Sequence, residues 1–139
     1  MEMKKLFMLL LFLVAASSVF CQRNNLTIVS HSMVVYQNDK WSDEIKSDVL
    51  ITIYQKEKYV IVDYMDGDPP LKFKIVRIVG PENTKDGVLT KFWLTDNFVL
   101  SYLYRKDGNP YDTFISLDCN GILPSHACYL ADSEDVVWF

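Results

Sequence analysis

The strongest constraint on the fold is an alternation of apolar and polar side chains that repeats about every two residues beyond the N-terminal segment. Leu71, Phe73 and Ile75 alternate with Lys72 and Lys74, which is typical of a strand with one buried and one hydrated face. Hardly any stretch repeats its apolar residues at the 3.6-residue spacing of an amphipathic helix. The chain is therefore predicted to be all-β.

Turn residues divide this alternating pattern into seven or eight short strands. Gly67 and two prolines interrupt it at 66–70, because glycine allows positive φ and proline cannot donate to a strand ladder. Asp96 and Asn97 separate two alternating runs and tolerate the left-handed backbone of a two-residue hairpin. Further turns or loops are predicted at 55–58, 80–87 and 106–110. Such short, sequential connections favour an antiparallel meander that is closed or strongly curved like a barrel.

Two further predictions concern where individual segments and side chains lie. Residues 41–47, which contain Trp41, are the one candidate for a short helix. Alternation places Trp93 on the face opposite Phe92 and Leu94, outside the core. The side chains predicted to face inward are Ile51, Ile53, Phe73, Ile75, Phe92, Leu94, Phe98, Leu100 and Tyr102.

The N-terminal segment has the order of features found in a secretory signal. Lys4 and Lys5 precede an apolar block at 6–14, and small residues follow it. The block is too short to cross a bilayer, which takes about 20 residues. We therefore expect residues 1–21 to be a signal peptide and residues 22–139 to be one β-rich domain, secreted or periplasmic and not membrane-spanning. Lipoprotein anchoring at Cys21 is the alternative.

The net charge restricts the class of binding partner, and the cysteine content bears on the prediction of a disulfide. The formal net charge of −4 argues against a nucleic-acid partner, because neutralising phosphates requires clustered Lys and Arg. Cys119 and Cys128 are the cysteines of the expected mature domain, and such a pair in an exported chain is predicted to form a disulfide. Two free buried thiols are the alternative.

Aromatic side chains are the candidate functional residues, because they combine a large apolar area with a polar tip. The candidates for lining a pocket or contacting a partner are Trp41, Phe73, Phe92, Trp93 and Tyr102. Strands also favour aromatic residues for ordinary packing, which is the alternative explanation. Neither His31 nor His126 has a second histidine or cysteine at metal-ligand spacing, so no metal site or cofactor is predicted.

These observations favour an exported, non-enzymatic binding or interaction module. Its ligand would be a small apolar molecule or a protein partner, and the second case includes inhibitor and immunity-type roles. An exported hydrolase that uses Asp63 or His126 is an alternative, although no spacing rule connects these residues. A structural component of the cell envelope is another.

The predicted disulfide can be tested by mass spectrometry of the exported protein without reductant. A bridge between Cys119 and Cys128 predicts a mass lower than the reduced mass by two hydrogens and no reaction of the unfolded chain with iodoacetamide. Two alkylated cysteines in the mature chain would refute the bridge.

Overall fold

The computed structural model describes residues 24–119 and 126–139, and these form a closed antiparallel barrel of eight strands with two extra short strands. The predicted signal peptide lies outside the described residues. The all-β, barrel-like prediction is confirmed. The strands are β1 (Leu26–Gln37), β2 (Lys40–Trp41), β3 (Ile45–Tyr54), β4 (Tyr59–Asp63), β5 (Leu71–Thr84), β6 (Gly87–Leu94), β7 (Phe98–Tyr104), β8 (Thr113–Cys119), β9 (His126–Ala131) and β10 (Val136–Trp138).

The barrel closes because β1 uses both of its edges. One edge pairs with β3, and the other pairs with β9 and, farther toward the start of β1, with β10. The strands from β3 to β9 each pair with the next in sequence. Where the β1–β3 register shifts, the buried Ser30 hydroxyl donates at 2.8 Å to the carbonyl of Leu130. This bond links β1 to β9 where the barrel closes.

The predicted inward-facing set is confirmed. Phe98 and Tyr102 are partly buried against the core, and the other seven predicted side chains are buried within it. Burial of an apolar side chain of this size contributes roughly 1.5–3 kcal/mol relative to exposure. Trp93 lies on the opposite face of β6, as predicted, with the Arg77 guanidinium 5.0 Å from its ring centre.

The two ends of the barrel differ. At the end that carries the β4–β5 and β6–β7 connections, the rings of Phe73 and Tyr129 are buried in the interior. Phe73 lies 5.0 Å from Phe98, and Tyr129 lies 6.5 Å from the exposed Tyr64, centre to centre. We call this the closed end. The opposite end carries the β3–β4 turn, the β5–β6 hairpin, the β7–β8 loop and the turn before β10. We call it the open end, because its interior contains a cavity.

The helix predicted over residues 41–47 is wrong. Asn38 and Asp39 both have positive φ, of 57° and 62°, so the chain reverses in a tight hairpin and Lys40–Trp41 pairs with the end of β1 as β2. The Trp41 ring then packs 5.1 Å from that of Tyr36. The sequence pattern alone did not distinguish a short helix from a polar interruption within a strand arm. The structure shows the interruption.

The loop predicted over Gly80–Gly87 is also wrong, because β5 continues to Thr84 and the reversal occupies only 85–86. The β5–β6 register shifts between Val79 and Glu82 and then resumes at Glu82 opposite Leu89. Gly80 therefore belongs to an irregularity within a strand, which is a common position for glycine in a ladder.

The predicted Cys119–Cys128 disulfide stays a prediction. Cys128 is a free thiol in the structure, but the side chain of Cys119 lies outside the described residues. Cys128 pairs with Ser116, three residues along β8 from Cys119. Since a disulfide needs Cα atoms within about 7 Å, a bridge would require a different register at the ends of β8 and β9.

Replacement of Gly80 tests the strand irregularity. Gly80 has φ of +108°, and a Cβ atom there would lie 2.6 Å from the Leu89 carbonyl oxygen. Gly80→Ala should therefore lower the free energy of unfolding by more than the roughly 1–3 kcal/mol of backbone strain alone. Gly67→Ala is the matched control, because its φ is +91° and no atom lies within 4 Å of the added Cβ. Urea unfolding that shows equal losses for both variants would contradict this account.

Tyr129 should make the barrel sensitive to alkali. Burial, a hydrogen bond with Tyr64 and the charge of Tyr64 raise the pKa of Tyr129. The folded state thus retains the phenol proton after the unfolded chain begins to lose it near pH 10. This contribution to stability is complete below pH ~10 and is lost as pH rises above that value.

Tyr129→Phe should therefore reduce the loss of unfolding free energy between pH 9 and pH 11 by up to about 1 kcal/mol. Tyr36→Phe, which removes a phenol outside the core, serves as the control. Identical alkaline profiles for Tyr129→Phe and the wild type would show that Tyr129 does not titrate as inferred.

Candidate ligand-binding cavity

The open end of the barrel contains a cavity of about 540 Å³. Its volume falls within the roughly 300–1,000 Å³ of typical small-molecule sites. Apolar and aromatic side chains predominate in its walls, with a few hydroxyl groups among them. The lining residues are Leu26, Gln55, Ile78, Gly80, Pro81, Val88, Thr90, Phe92, Tyr102, Tyr104, Thr113, Ser133, Val136 and Trp138.

Strand alternation explains which side chains reach the cavity. On β6, Val88, Thr90 and Phe92 all line it, whereas Lys91 between them is exposed. On the neighbouring strand β7, Tyr102 and Tyr104 line it in the same way. Phe92 is only 1% exposed and belongs to the packed core. It therefore forms the floor where the packed core ends and the cavity begins.

The wall across the cavity comes from the segments that close the barrel. Val136 and Trp138 of β10 line it beside Leu26 of β1, and Leu26 is the register partner of Trp138. The backbone of Asn25 exchanges two hydrogen bonds with that of Phe139, at 3.0 and 2.8 Å. The wall is thus held by strand pairing and is not an isolated loop.

One side of the cavity carries a polar network centred on Asp112. The Thr113 hydroxyl donates to Asp112 Oδ1 at 3.0 Å, and the Ser133 hydroxyl donates to Asp112 Oδ2. Thr113 and Ser133 line the cavity, whereas Asp112 does not. The carboxylate therefore lies beside the wall and holds two hydroxyl groups that belong to it.

Tyr102 contacts the same network from inside the cavity. Burial is the main reason that its pKa is raised, and the nearby negative charge of Asp112 raises it further. The phenol also forms a hydrogen bond with Thr113. The Tyr102 phenol therefore remains protonated at neutral pH and offers the cavity a neutral hydroxyl group.

The chain segment before Asp112 is anchored from outside the barrel. The Tyr111 hydroxyl donates to Glu44 and lies 3.3 Å from the Ser32 hydroxyl. Hydrogen bonds to Glu44 from Tyr111, the larger cause, and from Ser32 lower the pKa of Glu44. The Asp112 carbonyl also accepts from the Arg105 amide at 2.7 Å. Contacts to β1, to the β2–β3 connection and to Arg105 thus fix the position of Asp112.

The structure places the predicted contact aromatics in three different environments. Phe92 and Tyr102 line the cavity, and Phe73 is buried in the core near the closed end. Trp41 is 50% exposed and lies against Tyr36 on the outer surface. Trp93 is also outside the core. The cavity therefore brings together two of the five predicted residues.

Trp93 lies in a shallow depression on the outer face of the β5–β6 hairpin. The depression has a volume of about 210 Å³, and its polar groups include both signs of charge. Its lining residues are Arg77, Val79, Glu82, Leu89, Lys91 and Trp93. Trp93 is half-buried and Arg77 is exposed, and Trp and Arg side chains at a surface are typical of protein contact sites.

Asp63, one of the two residues of the alternative hydrolase hypothesis, does not line this cavity. Asp63 Oδ1 accepts a 2.9 Å bond from the Met65 amide in the turn after β4, near the closed end. The side chain of His126 lies outside the described residues. Among residues 24–119 and 126–139, no group of three or more His, Cys, Asp and Glu side chains could hold a metal ion.

Sequence reasoning missed most of the cavity lining. The alternation on β6 and β7 was sufficient to find Thr90 and Tyr104, which continue the inward-facing series of Phe92 and Tyr102. Trp138 and Ser133 had no such signal. They reach the cavity because β10 pairs with β1, and this pairing is remote in sequence.

Comparison with known proteins gives no information about function, so the functional inference rests on the geometry of the site. Within the described part of the chain, no helix is long and apolar enough to cross a membrane. The chain matches no family model, no curated protein and no solved structure.

Proposed function

We propose that this protein is an exported binding protein that holds a small, largely apolar molecule in the open end of its barrel. The observation that carries the proposal is the 540 Å³ cavity, whose walls are mostly apolar and aromatic. The N-terminal signal-like segment supports export.

The contrast between the two ends supports a ligand. Protein interiors are normally close-packed, and an unfilled apolar volume costs stability because its lining atoms lose contacts. Aromatic rings fill the closed end, whereas at the open end the packing stops at Phe92. A bound apolar molecule would restore those contacts and remove its own surface from water at about 25 cal/mol per Å².

The walls are also suited to binding without a large conformational cost. Most of the lining side chains project from hydrogen-bonded strands, and the β10 wall is paired with β1. A preformed site of this kind avoids the entropy cost of ordering loops around a ligand. The aromatic side chains Tyr102, Tyr104 and Trp138 favour a ligand with a planar or cyclic apolar body.

A second candidate function is protein binding through the outer surface around Trp93. The stacking of Arg77 on Trp93 supports it, since these residue types dominate the energetics of protein interfaces. This surface is on the other side of β6 from the cavity, so the two functions can be tested separately. Trp93→Ala should leave binding in the cavity unchanged.

Blocking the cavity tests the main proposal. N-Phenyl-1-naphthylamine becomes strongly fluorescent in an apolar site, and we expect saturable binding to the wild-type protein. Thr90→Trp places an indole inside the cavity and should weaken probe binding at least about tenfold, which corresponds to 1.4 kcal/mol. Lys91→Trp adds the same side chain one residue away on the outer face and should retain wild-type affinity.

Unfolding curves should be recorded for both variants, so that lost binding is compared between folded proteins. The absence of saturable binding to the wild type would refute the proposed cavity function. Equal weakening by both variants would place the probe elsewhere on the protein.

A further inference from the structure

The polar network beside the cavity fixes the direction of its hydroxyl groups. An ionised carboxylate only accepts hydrogen bonds, whereas a Ser or Thr hydroxyl has one proton and two lone pairs. Thr113 and Ser133 each direct that single proton to Asp112. The lone pairs of both oxygen atoms are then the only hydrogen-bonding capacity that they retain for the cavity.

The charges at this wall also favour a ligand group that donates hydrogen bonds. Asp112 contributes a negative charge, and the turn that carries Ser133 also contains Asp132, Glu134 and Asp135. Arg105, which follows β7, holds its guanidinium 5.9 Å from the ring of Phe114 on the outer face. The cavity lining in the described residues includes no Lys or Arg. This wall therefore offers acceptors and a negative potential to a bound molecule.

The other polar groups of the cavity do not reverse this preference. Thr90 can rotate its hydroxyl, and the Gln55 amide can donate or accept. Because the Thr113 proton is directed to Asp112, the protonated Tyr102 phenol donates its hydrogen bond to Thr113 and occupies one of the two Thr113 lone pairs. These groups can bind several kinds of polar ligand group. The wall held by Asp112 therefore determines which ligands the cavity prefers.

We propose that the cavity selects apolar molecules that carry a hydrogen-bond donor, such as a hydroxyl or amino group, and discriminates against carboxylates. This inference rests on the proposed function and adds the chemical class of the ligand. A donor group on the ligand would pair with the remaining lone pair of Thr113 and with the lone pairs of Ser133. A carboxylate would meet acceptors without protons beside the charge of Asp112. Thr113 is only 1% exposed, and leaving a buried polar group unpaired is costly.

Competition against bound N-phenyl-1-naphthylamine tests this selectivity with three ligands that share one ring system. We expect 2-naphthylmethanol to displace the probe at least about tenfold more effectively than 2-naphthoate. The methyl ether of the alcohol retains the size but lacks the donor, and it should be several-fold weaker than the alcohol.

Substitution of Asp112 connects the preference to the network. Asp112→Asn removes the charge and supplies an amide donor, so it should reduce the ratio between alcohol and carboxylate affinities at least about threefold. Asp96→Asn makes the same chemical change in the β6–β7 turn at the closed end and should leave the ratio unchanged. If unfolding curves show that Asp112→Asn does not fold, Ser133→Ala, which removes one oriented hydroxyl, replaces it.

The outcomes separate the two proposals. Failure of the fluorescent probe to bind refutes the cavity function itself. Probe binding with equal or tighter binding of 2-naphthoate overturns the donor preference and leaves the cavity function standing. An unchanged ratio in a folded Asp112→Asn variant also overturns the assigned role of the network.

Discussion

The pairing of β1 with β9 is the interaction on which the rest of the structure depends. It joins the two ends of a meander and converts a curved sheet into a barrel with an enclosed interior. The pairing occurs at an irregular part of β1, where the buried Ser30 hydroxyl reaches the Leu130 carbonyl. The same edge of β1 then continues to β10, which supplies one wall of the cavity. The closure of the barrel and the formation of the cavity therefore both depend on the pairing of β1.

The barrel divides its interior between stability and binding. Aromatic pairs near the closed end complete the core, and the buried side chains around Phe92 separate this core from the cavity. The polar network of Asp112 lies at the cavity wall and is anchored from outside through Tyr111. A ligand can therefore be accommodated without opening the part of the barrel that provides most of the apolar burial.

Local chemistry predicted the strands well and the site only in part. The hairpin at Asp96 and Asn97 was predictable because both residues adopt positive φ readily. The Gly80 and 41–47 segments were misinterpreted because one glycine or one polar stretch can interrupt a strand without ending the sheet. Trp138 and Ser133 could not be assigned to the cavity from the sequence, because pairing of β10 with β1 joins residues about a hundred positions apart. The direction of the Thr113 and Ser133 hydroxyl groups toward Asp112 could not be predicted from the sequence either, because it depends on three-dimensional contacts.

The alternation on β6 has a consequence for how this chain can change in length. Val88, Thr90 and Phe92 face the interior, while Lys91 and Trp93 lie on the outer side of the same strand. Inserting one residue into this strand would exchange the two sets and turn lysine and tryptophan toward the cavity. Insertions of two residues would preserve the facing. The β5–β6 ladder already shifts register at two places on β5, between Ile75 and Arg77 and between Val79 and Glu82, so single-residue length changes are better tolerated in β5 than in β6.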